Sequence, residues 1–301
     1  MKKILLLSFV FFCFVLGVFV SCKQSDAKTN KETILKGKLT LLVDETIKPL
    51  IEDQIAVFES TYDAEITLEA KSEKELIQSL LKDTTAVVVL SRQLTADETR
   101  FFEKSKIKPR ITKFATDAIA LISNKKDSDT LIAMKDVVSF LKNQGQSDIK
   151  GLVFDNPNSS TVRYINDLAG LKEVPQKGVY SFKSNEEVVK FVAENDGMIG
   201  VVGVNWLLQP TPSVKNYLTN INVLSVEGLN KNSYFAPTQN DLAEGTYPLA
   251  RDLFIVNCQG GSGLGMGFAS FLAGEIGQRI VLKSGILPAT IPGRKILIKT
   301  N

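Results

Sequence analysis

Histidine is absent from this chain of 301 residues. Its absence excludes histidine-based catalytic triads and histidine-ligated zinc, and it removes the side chain that most often acts as a general base near neutral pH. No catalytic motif of another kind is recognisable in the sequence. We therefore expect a protein that is not an enzyme and that needs no cofactor and no metal.

Cysteine is scarce, and its three copies are Cys13, Cys22 and Cys258. Cys13 lies in a segment that we expect to be removed, and Cys22 lies at the predicted new N-terminus. Cys258 alone cannot form an intramolecular disulfide, so the fold must be stabilised by its apolar core. The remaining chain of about 280 residues is long enough to form such a core, and its length favours a division into two lobes.

A strong charge of either sign is also lacking, since 36 lysines and arginines face 33 aspartates and glutamates. Nucleic-acid-binding domains carry a marked basic excess, often clustered on one face. We therefore expect no nucleic-acid partner.

The N-terminus has the features of a signal peptide over residues 1–21. Two lysines precede the apolar run Ile4–Val20, and small residues form a cleavage junction at Ser21-Cys22. An uncleaved membrane anchor is the alternative, because the apolar run approaches the length that spans a bilayer. Under either interpretation, the polar residues 22–37 form a linker.

Cys22 resembles the acylated cysteine of a bacterial lipoprotein. It follows Phe19-Val20-Ser21, a sequence similar to the lipobox, although phenylalanine replaces the leucine that usually begins that pattern. This resemblance implies lipidation at Cys22. We therefore predict an exported lipoprotein anchored in the membrane, on the periplasmic side or at the cell surface.

Strands and helices alternate after the linker. Predicted strands at Leu39–Val43, Ala64–Ala70 and Ala86–Leu90 are each followed by a predicted helix, which is typical of a parallel sheet with helices on its faces. Ligands of such sheets gather at the carboxyl ends of the strands. The polar residues at those ends are Thr46, Ser72 and Ser91.

Two longer runs have the composition of extended chain, Thr112–Asn124 and Tyr247–Cys258. The first of them follows the repeated strand-helix units and could leave their lobe to enter another. The second run follows the middle segment of the chain.

The stretch Gly151–Tyr164 carries the most specific signal. A short apolar strand breaks at Asp155 and leads into Asn158-Ser159-Ser160-Thr161, after which a helix is predicted. Unpaired amides of a first helical turn, together with neighbouring hydroxyls, form an oxyanion site. The alternative is that Ser159 or Ser160 only caps the helix.

A glycine-rich segment, residues 260–267, lies between a predicted strand and a predicted helix, as a dinucleotide-binding loop would. Phe268 stands where the third glycine of that motif is required, and no acidic residue ends a strand about twenty residues later. We therefore expect these glycines to allow close backbone packing at a boundary between lobes.

Several stretches, in this order, resemble the phosphate-binding proteins of bacterial ABC transporters, which have the type II periplasmic binding protein fold. They cover the chain from about Lys38 to Pro288. The stretches are Asp44-Glu45-Thr46-Ile47-Lys48-Pro49-Leu50, Ala86–Leu94, Asn158–Thr161, Asp196–Gly203, Tyr247–Arg251, Ser262-Gly263-Leu264, Gly277–Ile280 and Ile286-Leu287-Pro288.

This resemblance implies an α/β fold with two lobes, each a mainly parallel sheet flanked by helices, joined by two crossover strands. Lobe I would comprise residues 38–113 and 252–301, and lobe II residues 114–251. The ligand would lie between lobes that close over it by hinge motion.

The resemblance also implies the ligand-binding residues, by position. They are Thr46, Ser72, Ser91, Asn158, Ser159, Ser160 and Thr161, with Arg92 and Arg163 as candidates for pairing with an anionic charge. Ser72 has an alternative role, because Glu75 completes a capping box with it. Asp44, Glu45 and Asp155 depart from the family, since acidic side chains repel an anion unless they are protonated or turned away.

The resulting functional prediction is a lipid-anchored solute-binding protein, a monomer, that captures inorganic phosphate and presents it to an ABC permease. The alternative keeps the fold but not the transport. In it, a sensory or surface lipoprotein binds another oxyanion or a small organic acid.

Overall fold

The strands follow the predicted alternation with helices. The computed structural model describes residues 32–144, 149–228 and 233–293. The strands are β1 (Lys36–Asp44), β2 (Asp63–Lys71), β3 (Val87–Leu90), β4 (Arg110–Asn124), β5 (Leu131–Ile132), β6 (Gly151–Phe154), β7 (Val179–Ser181), β8 (Met198–Gly203), β9 (Ile221–Val223), β10 (Ser225–Glu227), β11 (Tyr234–Phe235), β12 (Ala250–Asn257) and β13 (Leu287–Pro288).

Most helices connect or flank these strands. They are α1 (Lys48–Thr61), α2 (Glu73–Lys82), α3 (Ala96–Lys104), α4 (Met134–Leu141), α5 (Ser160–Ala169), α6 (Asn185–Glu194), α7 (Asn205–Leu208), α8 (Pro212–Lys215), α9 (Gln239–Ala243), α10 (Leu264–Ala273) and α11 (Glu275–Lys283). Short 3-10 turns lie at Glu45–Ile47 and Leu218–Asn220. The predicted signal peptide, the linker up to Lys31 and Cys22 lie outside the described residues.

The main sheet has the strand order β2-β1-β3-β12-β4-β8-β6-β7. Strands β1, β2 and β3 are parallel to one another, and so are β6, β7 and β8. Between these two parallel groups run β12 and β4, which pair antiparallel. The predicted α/β fold is therefore confirmed, and its two parallel groups of strands are joined by two long strands within one continuous sheet.

Strand β4 joins the two groups. Its first part pairs with β12, and Ile119–Ile122 pairs with β8. These joining strands match the two predicted extended runs: β4 covers the first run and begins two residues before it, at Arg110, and β12 lies within the second. The lobe boundaries given above stay a prediction. The predicted strand Ile221–Val226 is divided, because β9 pairs with β4 while β10 joins a separate sheet with β5 and β11.

Helix α1 buries an apolar face whose residues recur at helical spacing. Ile51, Ile55 and Phe58 are all buried against the sheet. Phe58 packs edge-on to Phe268 and Phe271 of α10, with ring centroids 5.4 and 5.2 Å apart. Such aromatic pairs each stabilise a core by about 0.5–1.5 kcal/mol beyond their burial.

The glycine-rich segment accommodates the start of the described chain. A Cβ on Gly267 would overlap the carbonyl oxygen of Ile34, and a Cβ on Gly263 would lie 2.7 Å from Glu32 Oε1. That same carboxylate oxygen accepts a hydrogen bond from Leu264 N at 2.7 Å. Gly267 therefore allows close backbone packing, whereas Gly263 leaves room for the side chain of Glu32. At both positions the neighbour is the chain leading into β1 rather than the expected boundary between lobes.

In the part of the chain that the structure describes, no helix is long and apolar enough to cross a membrane.

Candidate functional site

A buried polar cluster forms where the parallel strands of both groups end. Its residues come from six segments that are distant in sequence, and most of them are inaccessible to solvent. They are Asp44 at the end of β1 and Glu45 and Thr46 after it, Ser91 after β3, Asp117 on β4, Asp155 and Ser159 between β6 and α5, Ser160 and Thr161 in the first turn of α5, Asn185 at the start of α6, and Arg251 on β12.

Asp44 connects the loops that follow β1 and β3. Its Oδ1 accepts hydrogen bonds from the backbone nitrogen and the hydroxyl of Thr46, at 3.1 and 2.9 Å. Its Oδ2 accepts from the hydroxyl of Ser91 at 3.1 Å. The aspartate is fully buried and therefore holds two predicted ligand-binding residues in place.

Asp155 fills the corresponding role in the loop before α5. The hydroxyls of Ser159 and Thr161 both donate to Asp155 Oδ1, at 2.6 and 2.7 Å. The Ser159 hydroxyl also accepts from Val162 N at 3.3 Å, so Ser159 caps the helix. Burial raises the pKa of Asp155 to about 6, although these two hydroxyls act in the opposite direction.

Arg251 brings a positive charge to the centre of the cluster. Its Nη1 donates to the Ser160 hydroxyl at 3.0 Å, and its Nη2 lies 3.4 Å from Thr46 Oγ1. The Thr46 and Ser160 hydroxyls are themselves 3.3 Å apart. Arg251, Thr46 and Ser160 thus form one hydrogen-bonded group around the guanidinium, which we call the donor group.

Asp117 orients that arginine. Nε and Nη2 of Arg251 donate to its two carboxylate oxygens, at 3.0 and 2.8 Å. The two residues face each other directly in the pairing of β4 with β12. The sequence did not predict either of them as a site residue, although each is a charged residue in one of the two runs that have the composition of extended chain.

Asn185 joins two carboxyl groups from opposite parts of the sheet. Its side-chain nitrogen donates to Glu45 Oε2 at 2.5 Å and to Asp155 Oδ2 at 3.2 Å. Its side-chain oxygen accepts from Gly203 N at 2.8 Å, which fixes the direction of the amide. Burial raises the pKa of Glu45 to about 8, and the nearby charge of Asp155 adds to this effect. Asn185 was not predicted, because nothing local distinguishes it from an ordinary helix-start residue.

Five of the nine predicted ligand-binding residues lie in this cluster, and four lie outside it. Those inside are Thr46, Ser91, Ser159, Ser160 and Thr161; those outside are Ser72, Arg92, Asn158 and Arg163. The hydroxyl of Ser72 donates to Glu75 at 2.6 Å, and the backbone nitrogen of Ser72 also donates to Glu75, which completes the capping box of α2. Asn158 is exposed, and its carbonyl oxygen accepts from Lys74 N at 3.2 Å.

The charges of Arg92 and Arg163 are directed to Glu73 rather than to the cluster. Arg92 Nε and Arg163 Nε donate to Glu73 Oε1 at 2.8 and 2.7 Å. Arg92 also pairs with Glu98, and Arg163 with Asp167. Pairing with a free anion, as predicted for both arginines, would therefore require them to exchange these partners.

A cavity of about 460 Å³ reaches the cluster from outside. Ser91 and Arg251 of the cluster line it, together with neighbouring residues that include Arg92, Arg163 and Tyr164. A larger cavity of about 680 Å³ lies elsewhere, around Asp127. The first cavity is the relevant one here, because it touches the donor group.

The cluster can donate and accept hydrogen bonds at the same place. The guanidinium of Arg251 and the hydroxyl of Ser160 are donors, whereas the hydroxyls of Thr46 and Ser91 already donate to Asp44 and would have to exchange that partner for a ligand. The buried carboxylates are acceptors. An oxyanion that retains a proton offers both complements, since its oxygens accept and its hydroxyl donates.

Solved structures show the same fold. A protein from Clostridium perfringens, described as a phosphate ABC transporter substrate-binding protein with bound phosphate, has a TM-score of 0.67 at 16% identity, over 84% of this chain and 100% of that one. An ABC-type phosphate transport receptor from Vibrio cholerae has a TM-score of 0.62 at 18% identity, over 84% and 100%. The regulatory domain of an OxyR2 variant from Vibrio vulnificus has a TM-score of 0.53 at 14% identity, over 79% and 97%.

At these identities the likeness shows the fold alone. Among curated proteins, no sequence matches the chain significantly. A family model described as the PBP superfamily domain matches residues 27–275, which is most of the chain. The chain therefore belongs to the PBP superfamily, and its fold is that of the type II periplasmic binding proteins.

Proposed function

We propose that this chain is a lipid-anchored solute-binding protein that captures inorganic phosphate between its lobes for an ABC permease. The observation that carries the proposal is the donor group. Arg251, Thr46 and Ser160 come from three distant segments, and their donors converge within 3.4 Å of one another. Residues that converge in this way from both parallel groups suit a small anion enclosed between them.

The physical requirement for enclosing phosphate is a full set of hydrogen-bond partners. Each charged oxygen removed from water without a partner costs several kcal/mol. Arg251 and the Ser160 hydroxyl supply donors, and Ser91 lies beside the cavity that leads to them. The Thr46 and Ser91 hydroxyls donate to phosphate when they exchange Asp44 for it. A buried carboxylate accepts the proton of hydrogen phosphate, which a fully ionised sulfate does not carry.

The acidic residues limit the charge that the site can accept. Asp117 already pairs with Arg251, and Asp44 is buried as well. With pKa values raised to about 8 and about 6, Glu45 and Asp155 become neutral as the pH falls through those values. We therefore propose that the site binds a protonated, singly charged oxyanion better than a doubly charged one.

Export and anchoring form the second part of the proposal. The N-terminal lysines, the apolar run and the Ser21-Cys22 junction support cleavage and acylation at Cys22. A binding protein attached to the membrane by a lipid stays near the permease that it serves. Solved relatives described as phosphate transport receptors support this role.

The alternative is a sensory or surface lipoprotein that binds another oxyanion or a small organic acid without transport. One observation favours it. The hydroxyls of Ser159 and Thr161 are already donated to Asp155, so fewer donors remain for phosphate. The regulatory domain of OxyR2 shows that this fold also occurs in proteins of another class.

Calorimetry of the mature chain against phosphate, arsenate, sulfate and acetate separates these proposals. The phosphate proposal expects saturable binding of phosphate and of its close analogue arsenate, and no heat from sulfate or acetate. Binding of acetate alone supports the organic-acid alternative. The absence of heat with all four ligands contradicts the phosphate proposal.

A further inference from the structure

An apolar groove of about 390 Å³ lies between the chain leading into β1 and the start of α11. Phe58 and Phe271 form its buried part. Its lip carries Ile34, Leu35 and Ile276, whose exposed fractions are 42%, 43% and 46%, beside the exposed polar residues Ser270 and Glu275. Three large aliphatic side chains thus face solvent around one groove, which is how docking surfaces for apolar partners are built.

The lip lies where the chain enters the fold. Glu32 is fixed to the start of α10 by its hydrogen bond from Leu264 N, and the backbone of Ile34 packs against Gly267 of the same helix. Glu32 follows Cys22 by only ten positions in the sequence. Fully extended, ten residues span at most about 33–36 Å.

We infer that this groove is a membrane-docking surface, in which Ile34, Leu35 and Ile276 insert among the acyl chains of the bilayer that holds Cys22. A short tether keeps the lip at a high effective concentration near the lipid, so that weak apolar contacts suffice for docking. The inference rests on the acylation of Cys22 in the proposed function and is independent of the ligand.

The tether itself does not supply the apolar occupant. Residues 23–31 have the sequence KQSDAKTNK, in which alanine is the one apolar residue. A second copy of the chain could cover the groove through the same lip, but the tether brings every molecule to the lipid first.

A fluorescent label beside the groove tests this surface in the acylated mature chain. Ser270 lines the groove and is exposed, so Ser270→Cys provides a reactive thiol, whereas Cys258 is buried and Cys22 is acylated. Ser181→Cys, on the exposed edge strand β7, is the matched control. Both variants carry bimane and are reconstituted into phosphatidylcholine vesicles with lipid-borne doxyl quenchers, without phosphate.

We expect severalfold stronger quenching at position 270 than at position 181. Adding Ile34→Ser and Ile276→Ser should remove the difference while the protein stays on the vesicles. Equal quenching at both positions overturns the inference. It is also overturned if the label at position 270 becomes shielded from solvent as the density of protein on the vesicles rises but is not quenched by the doxyl lipids, because a second copy of the chain then covers the groove. A chain that does not fractionate with the vesicles overturns both the anchor and this surface. Quenching at 270 in a protein that binds no phosphate supports the surface and contradicts only the ligand.

Discussion

The guanidinium of Arg251 donates to the hydroxyl of Ser160 at 3.0 Å, although 91 residues separate them along the chain. Arg251 belongs to a strand of the joining pair, and Ser160 begins the helix that follows β6 of the second parallel group. A movement between the parallel groups would therefore separate or reorient these two side chains. The contact links the proposed ligand site directly to the arrangement of the two groups.

Glu73 should stabilise the arrangement in which α2 and α5 are close together. Its carboxylate, almost fully buried, accepts from both Arg92 and Arg163. Because hydrogen bonds to charged groups contribute about 1.5–3 kcal/mol, Glu73→Gln should lower the free energy of unfolding by about that much. It should also enlarge the radius of gyration measured by small-angle scattering.

The matched control for Glu73 is Asp167→Asn. Asp167 pairs with the same Arg163, but its side chain is 67% exposed. Exposed pairs of this kind contribute only about 0–1 kcal/mol. If the two variants have equal stability and an unchanged radius, Glu73 does not hold the helices together.

Glu45 should make stability fall as the pH rises. Its pKa is 4.5 when exposed and about 8 in the folded protein. Between these pH values the folded state keeps a proton that the unfolded state has lost, so deprotonation favours unfolding. The loss begins near pH 4.5 and is complete once the pH has passed about 8. Asp155, with its pKa raised to about 6, acts in the same direction at lower pH.

Urea denaturation at pH 5 and pH 8 measures this effect. We expect the wild-type protein to lose at least about 1.4 kcal/mol over this range, the equivalent of one pKa unit. Glu45→Gln should reduce the loss, because it removes the titrating group while keeping the shape. A wild-type protein that is more stable at pH 8 would contradict this interpretation.

Gly267 should be essential for packing the start of the chain. Gly267→Ala places a methyl group on the carbonyl oxygen of Ile34 and must displace either the chain or α10. Overpacking of this kind costs about 1–3 kcal/mol. Gly260→Ala is the control, since a Cβ there meets no atom within 4 Å. If thermal denaturation gives the two variants the same melting temperature, Gly267 does not have this packing role.

Much of the fold could be predicted because its signals are local. Apolar runs separated by helix-start signals predict the positions of β1, β2 and β3. Because a helix follows each strand, the sequence also predicts that these strands run parallel to one another. Glu75, three residues after Ser72, predicts one helix start, and Thr95 with Glu98 has the same spacing; both pairs form capping boxes. The division of Ile221–Val226 was not predictable, because it depends on which neighbouring strand each half meets.

The site was predictable only in part, for a related reason. Thr46, Ser91 and Ser159–Thr161 follow strands, and strand ends of parallel sheets converge. The pairing of Arg251 with Asp117 depends on the register between β4 and β12, which no local pattern contains. Likewise Arg92 and Arg163 resembled anion-binding residues in sequence, but α2 brings Glu73 to both of them.

The central claim is that an oxyanion binds at the donor group, and the phosphate affinity of Ser160→Ala tests it most directly. Removing one donor to a charged ligand should weaken binding about ten- to a hundredfold. Ser159→Ala is the matched control, since that hydroxyl caps α5 and donates to Asp155; it should cost about 1 kcal/mol of stability and change affinity little. Titration calorimetry of both variants beside the wild type should give weakened binding for Ser160→Ala alone. Equal affinity of Ser160→Ala and the wild type would contradict the account.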